Sequence, residues 1–178
     1  NPKENILQRI VFKHKAENVY LVADAYRGSK MKETIADFFS AVSGEKLENV
    51  SAHSTVLQIS GSADLIAFIG HNGLMDFDLA AQPQKQDDEK RDAVILACAS
   101  RNYFARHLKK TGANPLLWTS NLMAPEAYIL HDALEGWVLK ITGLPYIGLV
   151  ATVQMNTANV RYLATTGNRL VYIVRYSL

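Results

Sequence analysis

The chain has 178 residues, a formal net charge of +2 and a single cysteine. With 48% hydrophobic and 20% charged residues it is not a disordered segment, and one cysteine excludes an internal disulfide framework or a Cys-rich zinc knuckle. A chain of this length buries enough surface to fold without a metal or disulfide staple, so residues 1–178 read as a single domain.

The charges divide unevenly. Residues 1–90 carry 10 Lys/Arg against 13 Asp/Glu, and residues 91–178 carry 9 against 4. The C-terminal excess includes Arg101, Arg106, Lys109 and Lys110 with Phe104 and Leu108 between them, the pattern of an amphipathic helix whose basic residues face water. No dense basic stripe with interleaved aromatics is present, so nucleic acid is not an expected partner. The apolar runs fall well short of the ~20 residues that span a bilayer, so no membrane partner is expected either. Asn1 to Asn5 carry no signal-peptide pattern, and a lone thiol fits a reducing compartment.

Along the chain, Ile6, Leu7, Ile10 and Val11 fall at helical spacing and predict an amphipathic helix over residues 4–16. Residues 19–25 read as a buried strand ending at Arg27-Gly28-Ser29. A helix follows over residues 30–42, with Ser29 as its N-cap and Gly44 as its C-cap. Residues 45–62 are polar and give no clear period. Residues 63–69 (ADLIAFI) read as a second apolar strand, stopped by Gly70-His71-Asn72-Gly73. The charged segment 82–91 is expected on the surface, as a solvated connection or a cleavable activation loop. Residues 92–97 (DAVILA) predict a third strand, 101–110 a helix, 116–119 a short strand and 125–141 another helix. A helix over 145–160 and a last strand over 169–176 complete the reading.

Apolar strands alternating with amphipathic helices predict an α/β fold: a doubly wound three-layer sandwich around a mostly parallel sheet. In such sheets ligands bind at the carboxyl ends of the strands. The residues expected there are Asp24 and Arg27, then His71 and Gly73, then Cys98, then Thr119 and Ser120. Cys98 and His71, on neighbouring strands, suit thiol attack on a carbonyl, with the imidazole carrying the proton. The helix predicted just after Cys98 favours a thiolate at its N-terminus. The backbone N–H groups of Gly73 and Cys98 are the expected donors to a developing oxyanion. Arg27 and Asp24 are candidate substrate contacts, Arg27 by pairing with a carboxylate, and Thr119 and Ser120 are candidates to bind a peptide backbone. His131 with Asp132 and Glu135 has metal-ligand chemistry but reads as an exposed helix face, and no Cys/His grouping makes a zinc motif. No phosphate loop or other cofactor motif is present, so no cofactor is expected.

The two half-motifs LIAFIGHNG (Leu65 to Gly73) and AVILACAS (Ala93 to Ser100) resemble those of the caspase-like cysteine peptidases, which include caspases, legumains, gingipains and clostripain. The signature is an apolar strand ending in His-Gly, then a later apolar strand ending in a small residue and Cys. The resemblance covers about two-thirds of the chain. It implies a Cys98/His71 dyad hydrolysing peptide bonds through a thioester acyl-enzyme, and a specificity-pocket position at Leu96. Asn72 stands where the family has its Gly, and Leu96 is apolar where the family is often polar or acidic. The family's sheet opens with a strand, so its first strand is either upstream of Asn1 or replaced by a segment such as 169–176. A non-catalytic domain on the same scaffold, used for protein interaction, stays open. So does a phosphoacceptor or nucleotide domain, although the acidic cluster and strand-end lysine it needs are missing.

Overall fold

The computed structural model describes residues 4–52, 54–123, 127–141, 154–155 and 169–176. Strands β1 (Ile6–Lys13), β2 (Val19–Tyr26), β5 (Leu65–Ile69), β6 (Asp92–Leu96), β7 (Asn114–Trp118), β8 (Gln154–Met155) and β9 (Arg169–Tyr176) form one sheet. Its order is β1-β2-β9-β5-β6-β7-β8. The strands from β2 to β7 run parallel, and β1 and β8 pair antiparallel at the two ends of that order. Residues 169–176 therefore sit in the middle of the sheet, between β2 and β5.

Alternation along the parallel strands builds two cores. Ile66 and Phe68 of β5 and Ala93 and Ile95 of β6 face helices α1 (Met31–Ser43) and α2 (Ser100–Thr111). There Phe38, Phe39, Phe68 and Phe104 pack with ring centroids 5.2–6.1 Å apart. Leu65, Ala67, Val94 and Leu96 face the other way, against Ile129, Ala133 and Trp137 of α3 (Ala127–Ile141). Strands buried on both faces have no polar side to show, which is why their sequences are nearly continuous apolar runs. The predicted α/β class, with helices on both faces of a mostly parallel sheet, is what the chain adopts. At the opposite, amino-terminal edge, buried Asp92 accepts hydrogen bonds from Asn114 Nδ2 (2.6 Å) and Trp137 Nε1 (3.0 Å), which ties α3 to β6 and β7.

The helix expected over residues 4–16 and the Ser29 N-cap are corrected, and residues 45–62, which give no clear period in the sequence, form strands. Residues 4–16 do not form a helix: Ile6–Lys13 is a strand paired with β2. A bulge between Ile6 and Gln8 puts Ile6, Arg9 and Val11 on one face, while Leu7 and Ile10 are exposed, so the apolar residues that read as helical come from both faces of a strand. The strand wins because Ile10, Val11 and Phe12 are β-branched or aromatic and because the register sets Arg9 opposite Asp24. Arg9 holds the buried Asp24 carboxylate through two hydrogen bonds of 2.6 Å and reaches Glu48 at 2.6 Å. Residues 45–62 form an antiparallel hairpin, β3 (Leu47–Ala52) and β4 (Thr55–Ser60). Its signal is a period of two in β4, where Leu57 and Ile59 turn inward and Val56 and Gln58 outward. Ser29 is not an N-cap: it lies in a 3-10 turn, Gly28–Lys30, and the N-cap residue Lys30 makes no side-chain cap. Gly44 does end α1, in the left-handed conformation at φ 81°. Of the predicted helix 145–160 only Gln154–Met155 lies among the described residues, and those two form β8.

Segment 82–91 is fastened to the body. Gln86 N–H donates to Ser43 O (2.9 Å), Lys85 N–H to Lys110 O (2.9 Å), and buried Arg91 grips both Asp87 oxygens (2.7 Å) and Gly61 O (2.6 Å). Gln82 Oε1 meets His107 Nδ1 at 3.1 Å, while His107 Nε2 accepts from Arg106 Nε at 2.9 Å. That pattern assigns the single imidazole proton to Nδ1. Burial, then the charges of Arg106 and Lys110, lower the His107 pKa, with Asp78 opposing. A histidine with a lowered native pKa binds its proton more readily when unfolded, so its contribution is lost as pH falls. The chain is expected to lose thermal stability as pH drops from about 7 through the ordinary imidazole pKa of about 6.5. His107→Gln is expected to flatten that part of the Tm–pH curve; an unchanged slope in the variant contradicts the assignment.

Candidate active site at the carboxyl edge of the sheet

Strands β5 and β6 are neighbours in parallel register, with Ile69 beside Leu96, and the ladder runs one step further through Gly70 N–H to Leu96 O (3.1 Å). His71 and Cys98 each lie two residues beyond that last pair, so both emerge at one edge. Between them the tie is Asn72. Its side chain is fully buried, its Nδ2 donates to the Cys98 carbonyl at 2.6 Å, and its Oδ1 accepts Leu74 N–H at 3.2 Å. The residue that interrupts the His-Gly pattern thus joins the two strand ends.

His71 points to solvent, 49% exposed, with Nε2 2.8 Å from Asp76 Oδ2. The 3-10 turn Gly73–Met75 carries the chain back over the histidine and delivers Asp76 to it. The Gly73 N–H donates to His71 O at 3.1 Å. It is therefore not available as the oxyanion donor expected from sequence.

Cys98 is half-buried, and its Sγ lies 3.5 Å from both the N–H and the carbonyl of Met123. The next residue, Ala99, adopts φ 47°, ψ 35°, a left-handed conformation that a side chain disfavours. It turns the chain sharply from β6 into α2, leaving Cys98 at the mouth of the helix. Hydrogen bonds hold that turn: Ala99 N–H to Asn121 O (2.9 Å), Ser100 N–H to Thr119 Oγ1 (3.1 Å), and Ser100 Oγ to Ile95 O (2.9 Å). Thr119 N–H in turn donates to Ser100 Oγ at 2.9 Å, and Thr119 Oγ1 donates to Ala97 O.

The edge brings His71, Cys98 and exposed Ser120 to one side of the sheet, but no hydrogen bond links the His71 and Cys98 side chains; each is held by its own partner. The other candidates serve the fold. Thr119 is buried in the turn network rather than presented to a ligand. Leu96 is 1% exposed and packs in the α3-side core, so it lines no opening. Asp24 is fully buried with its carboxylate on Arg9, and β9 separates its strand from β5. Arg27 is exposed beyond β2, its N–H on Asn5 O (2.9 Å) and its Nε on Glu4 O (3.1 Å). Sequence reasoning missed Asp76, Asn72 and Met123. A carboxylate five residues after His71, across a turn, is a signal for the first; nothing local announces the other two.

The ligand atoms of His131, Asp132 and Glu135 lie within 4.8 Å of one another on α3, the one such group with metal-ligand chemistry among the described residues. His131 is exposed, as expected, and its hydrogen bond to the Asp132 carboxylate raises its pKa. His131 and Glu135 border a cavity of about 640 Å³ lined by α3 and the β1–β2 turn with its flanking strand residues, and Cys98 is not among its lining residues. No helix of the described residues is long and apolar enough to cross a membrane. No protein-family model matches the chain, and neither a curated protein nor a solved structure is similar to it.

Asn72→Ala removes a buried amide and strands the Cys98 carbonyl, at a cost of about 1–3 kcal/mol. Denaturant titration is expected to show that loss, together with faster alkylation or protease nicking at the 97–99 turn. Unchanged stability and unchanged turn protection would contradict the cross-tie.

Proposed function

We propose that the chain is a cysteine peptidase of the caspase-like kind, with Cys98 as nucleophile and His71 as proton carrier. The observation that carries this reading is the emergence of both residues, two positions past a paired rung, at the ends of adjacent parallel strands. Asp76 on Nε2 leaves Nδ1 as the nitrogen that exchanges protons with the thiol, so the proposed constellation is a triad rather than a dyad. Cys98 gives its proton to His71 as sulfur attacks the carbonyl carbon, and the carbonyl electron pair moves to oxygen. Collapse breaks the C–N bond, and the imidazolium proton goes to the leaving amine. Water, deprotonated by His71, then hydrolyses the thioester and frees the thiol. With the Gly73 N–H bonded internally, the Cys98 N–H is the donor this reading keeps for the oxyanion.

In this reading the side chains of His71 and Cys98 turn toward each other when substrate binds, since catalytic hydrogen bonds are often long in the free enzyme and tighten in the complex. The separate anchoring of His71 on Asp76 and of Cys98 on Met123 favours a second reading, a non-catalytic interaction domain on the same scaffold. Hydrolysis of a broad fluorogenic peptide library decides between them. The peptidase reading expects turnover that Cys98→Ala abolishes with the circular dichroism spectrum unchanged. It expects His71→Ala to lower turnover by roughly 10²–10⁴ and Asp76→Asn to lower it less while shifting its pH profile. Turnover that survives Cys98→Ala overturns the peptidase reading, and no turnover by the folded wild type supports the interaction domain.

A further inference from the structure

Two large apolar side chains stand exposed beside the proposed reacting pair. Leu122 is 73% exposed and Met75 44% exposed. Each adjoins a residue that holds one member of the pair: Leu122 precedes Met123, whose backbone contacts Cys98 Sγ, and Met75 precedes Asp76, whose carboxylate meets His71. Neither exposure is the accident of a loose loop. Leu122 N–H donates to Asn121 Oδ1 at 2.8 Å, Asn121 O accepts Ala99 N–H at 2.9 Å, and Met123 N–H meets the sulfur. With the backbone fixed on both sides, the Leu122 side chain projects outward one residue before the Met123 backbone that contacts the thiol. Met75 is fixed in the same way, through Met75 N–H to Asn72 O (3.1 Å) and Asp76 N–H to Gly73 O (2.9 Å). Among the described residues, apart from Tyr128 at the start of α3, the other exposed large apolar side chains lie on β1 and the β3–β4 hairpin.

Among the described residues, three charged groups after β5 and β6 are already engaged. Asp76 meets His71, Asp78 pairs with Arg106, and Arg101 is partnered as well. Leu96, the position at which a polar specificity residue was expected, is apolar and sealed in the core. Any of these three that recognised a charged substrate residue would have to give up its present partner, whereas Leu122 and Met75 gain by being covered, since removing apolar surface from water is favourable.

We infer that the substrate is a peptide with bulky apolar side chains flanking the scissile bond, one covering Leu122 and the other covering Met75. This rests on the peptidase reading of Cys98 and His71. The two residues are specificity determinants: Leu122 adjoins the residue that holds Cys98 and Met75 the residue that holds His71, which sets one contact on each side of the bond to be cut.

The test compares peptides bearing Leu, Phe or Met with peptides bearing Asp, Asn, Arg or Lys on the two sides of the bond. Wild type, Leu122→Ser and Met75→Ser are assayed, and iodoacetamide labelling of Cys98 is followed in all three. The expected result is a kcat/KM preference for apolar peptides that each variant lowers by roughly 10-fold. The labelling rate is expected to stay unchanged, because neither side chain touches the sulfur chemistry. Preference for a charged residue, or apolar turnover within twofold of wild type in both variants, overturns the inference and leaves the nucleophile intact. Absence of cleavage together with labelling no faster than that of a free thiol overturns the peptidase reading itself and this inference with it.

Discussion

The carboxyl edge of the sheet depends on one constraint: the ends of β5, β6 and β7 must be tied together after the backbone ladder stops. Parallel strands leave that edge through loops of different length, and nothing in the ladder itself keeps the loops together. Asn72 to the Cys98 carbonyl joins the first pair, and the Ser100–Thr119–Ala97 hydrogen bonds join the second. These groups are buried, so each missing partner would carry a desolvation penalty of about 1–3 kcal/mol. The ties fix the left-handed turn at Ala99, the start of α2, and thereby where Cys98 stands. They also fix the loop that carries Leu122. Positioning of the thiol and shaping of its surroundings thus follow from the same few bonds.

At the other end of the strand order the dominant interaction is electrostatic. Asp24 is fully buried, and Arg9 supplies a two-pronged guanidinium contact from the edge strand while also reaching Glu48 of the hairpin. A buried carboxylate left without its cation is costly, so this pair pins β1 and the hairpin to the sheet. The Arg9 pKa is raised well above its ordinary value, chiefly by the hydrogen bond to Asp24. Asp24 is thereby a structural group, although its strand-end position gave it the look of a binding residue.

Much of the fold is legible in the sequence because most of its elements are buried on both faces or on one clean stripe. β5 and β6 are apolar runs, α1 and α2 carry aromatic stripes, and the helix after Cys98 follows from Phe104 and Leu108. What is not legible has a physical reason in each case. In β1 apolar residues stand on both faces, Leu7, Ile10 and Phe12 outward and Ile6 and Val11 inward, which hides the period of two, and no residue marks the bulge in advance. The hairpin 47–60 is half-exposed, with Leu47 and Val56 outward, so its alternation is diluted. For the site, residue types on strand ends point to His71 and Cys98, but strand-end position alone does not separate a side chain that faces a ligand from one that fastens the turn. Thr119, Leu96 and the Gly73 N–H fall in the second group, because buried polar groups and apolar strand residues are claimed first by hydrogen bonding and packing. Asn72 looked like an interruption of a motif; its buried amide is instead what holds the motif's two halves in place.

The central claim is that His71 and Cys98 act as one unit although their side chains are anchored apart in the free chain. The most direct measurement is the second-order rate of Cys98 alkylation by iodoacetamide between pH 5 and 9, in wild type and in His71→Ala. The account predicts labelling near pH 7 at least about 10-fold faster than that of the same thiol in unfolded chain, with the advantage lost in His71→Ala. Equal rates in wild type and variant across that range, no faster than in unfolded chain, would contradict it.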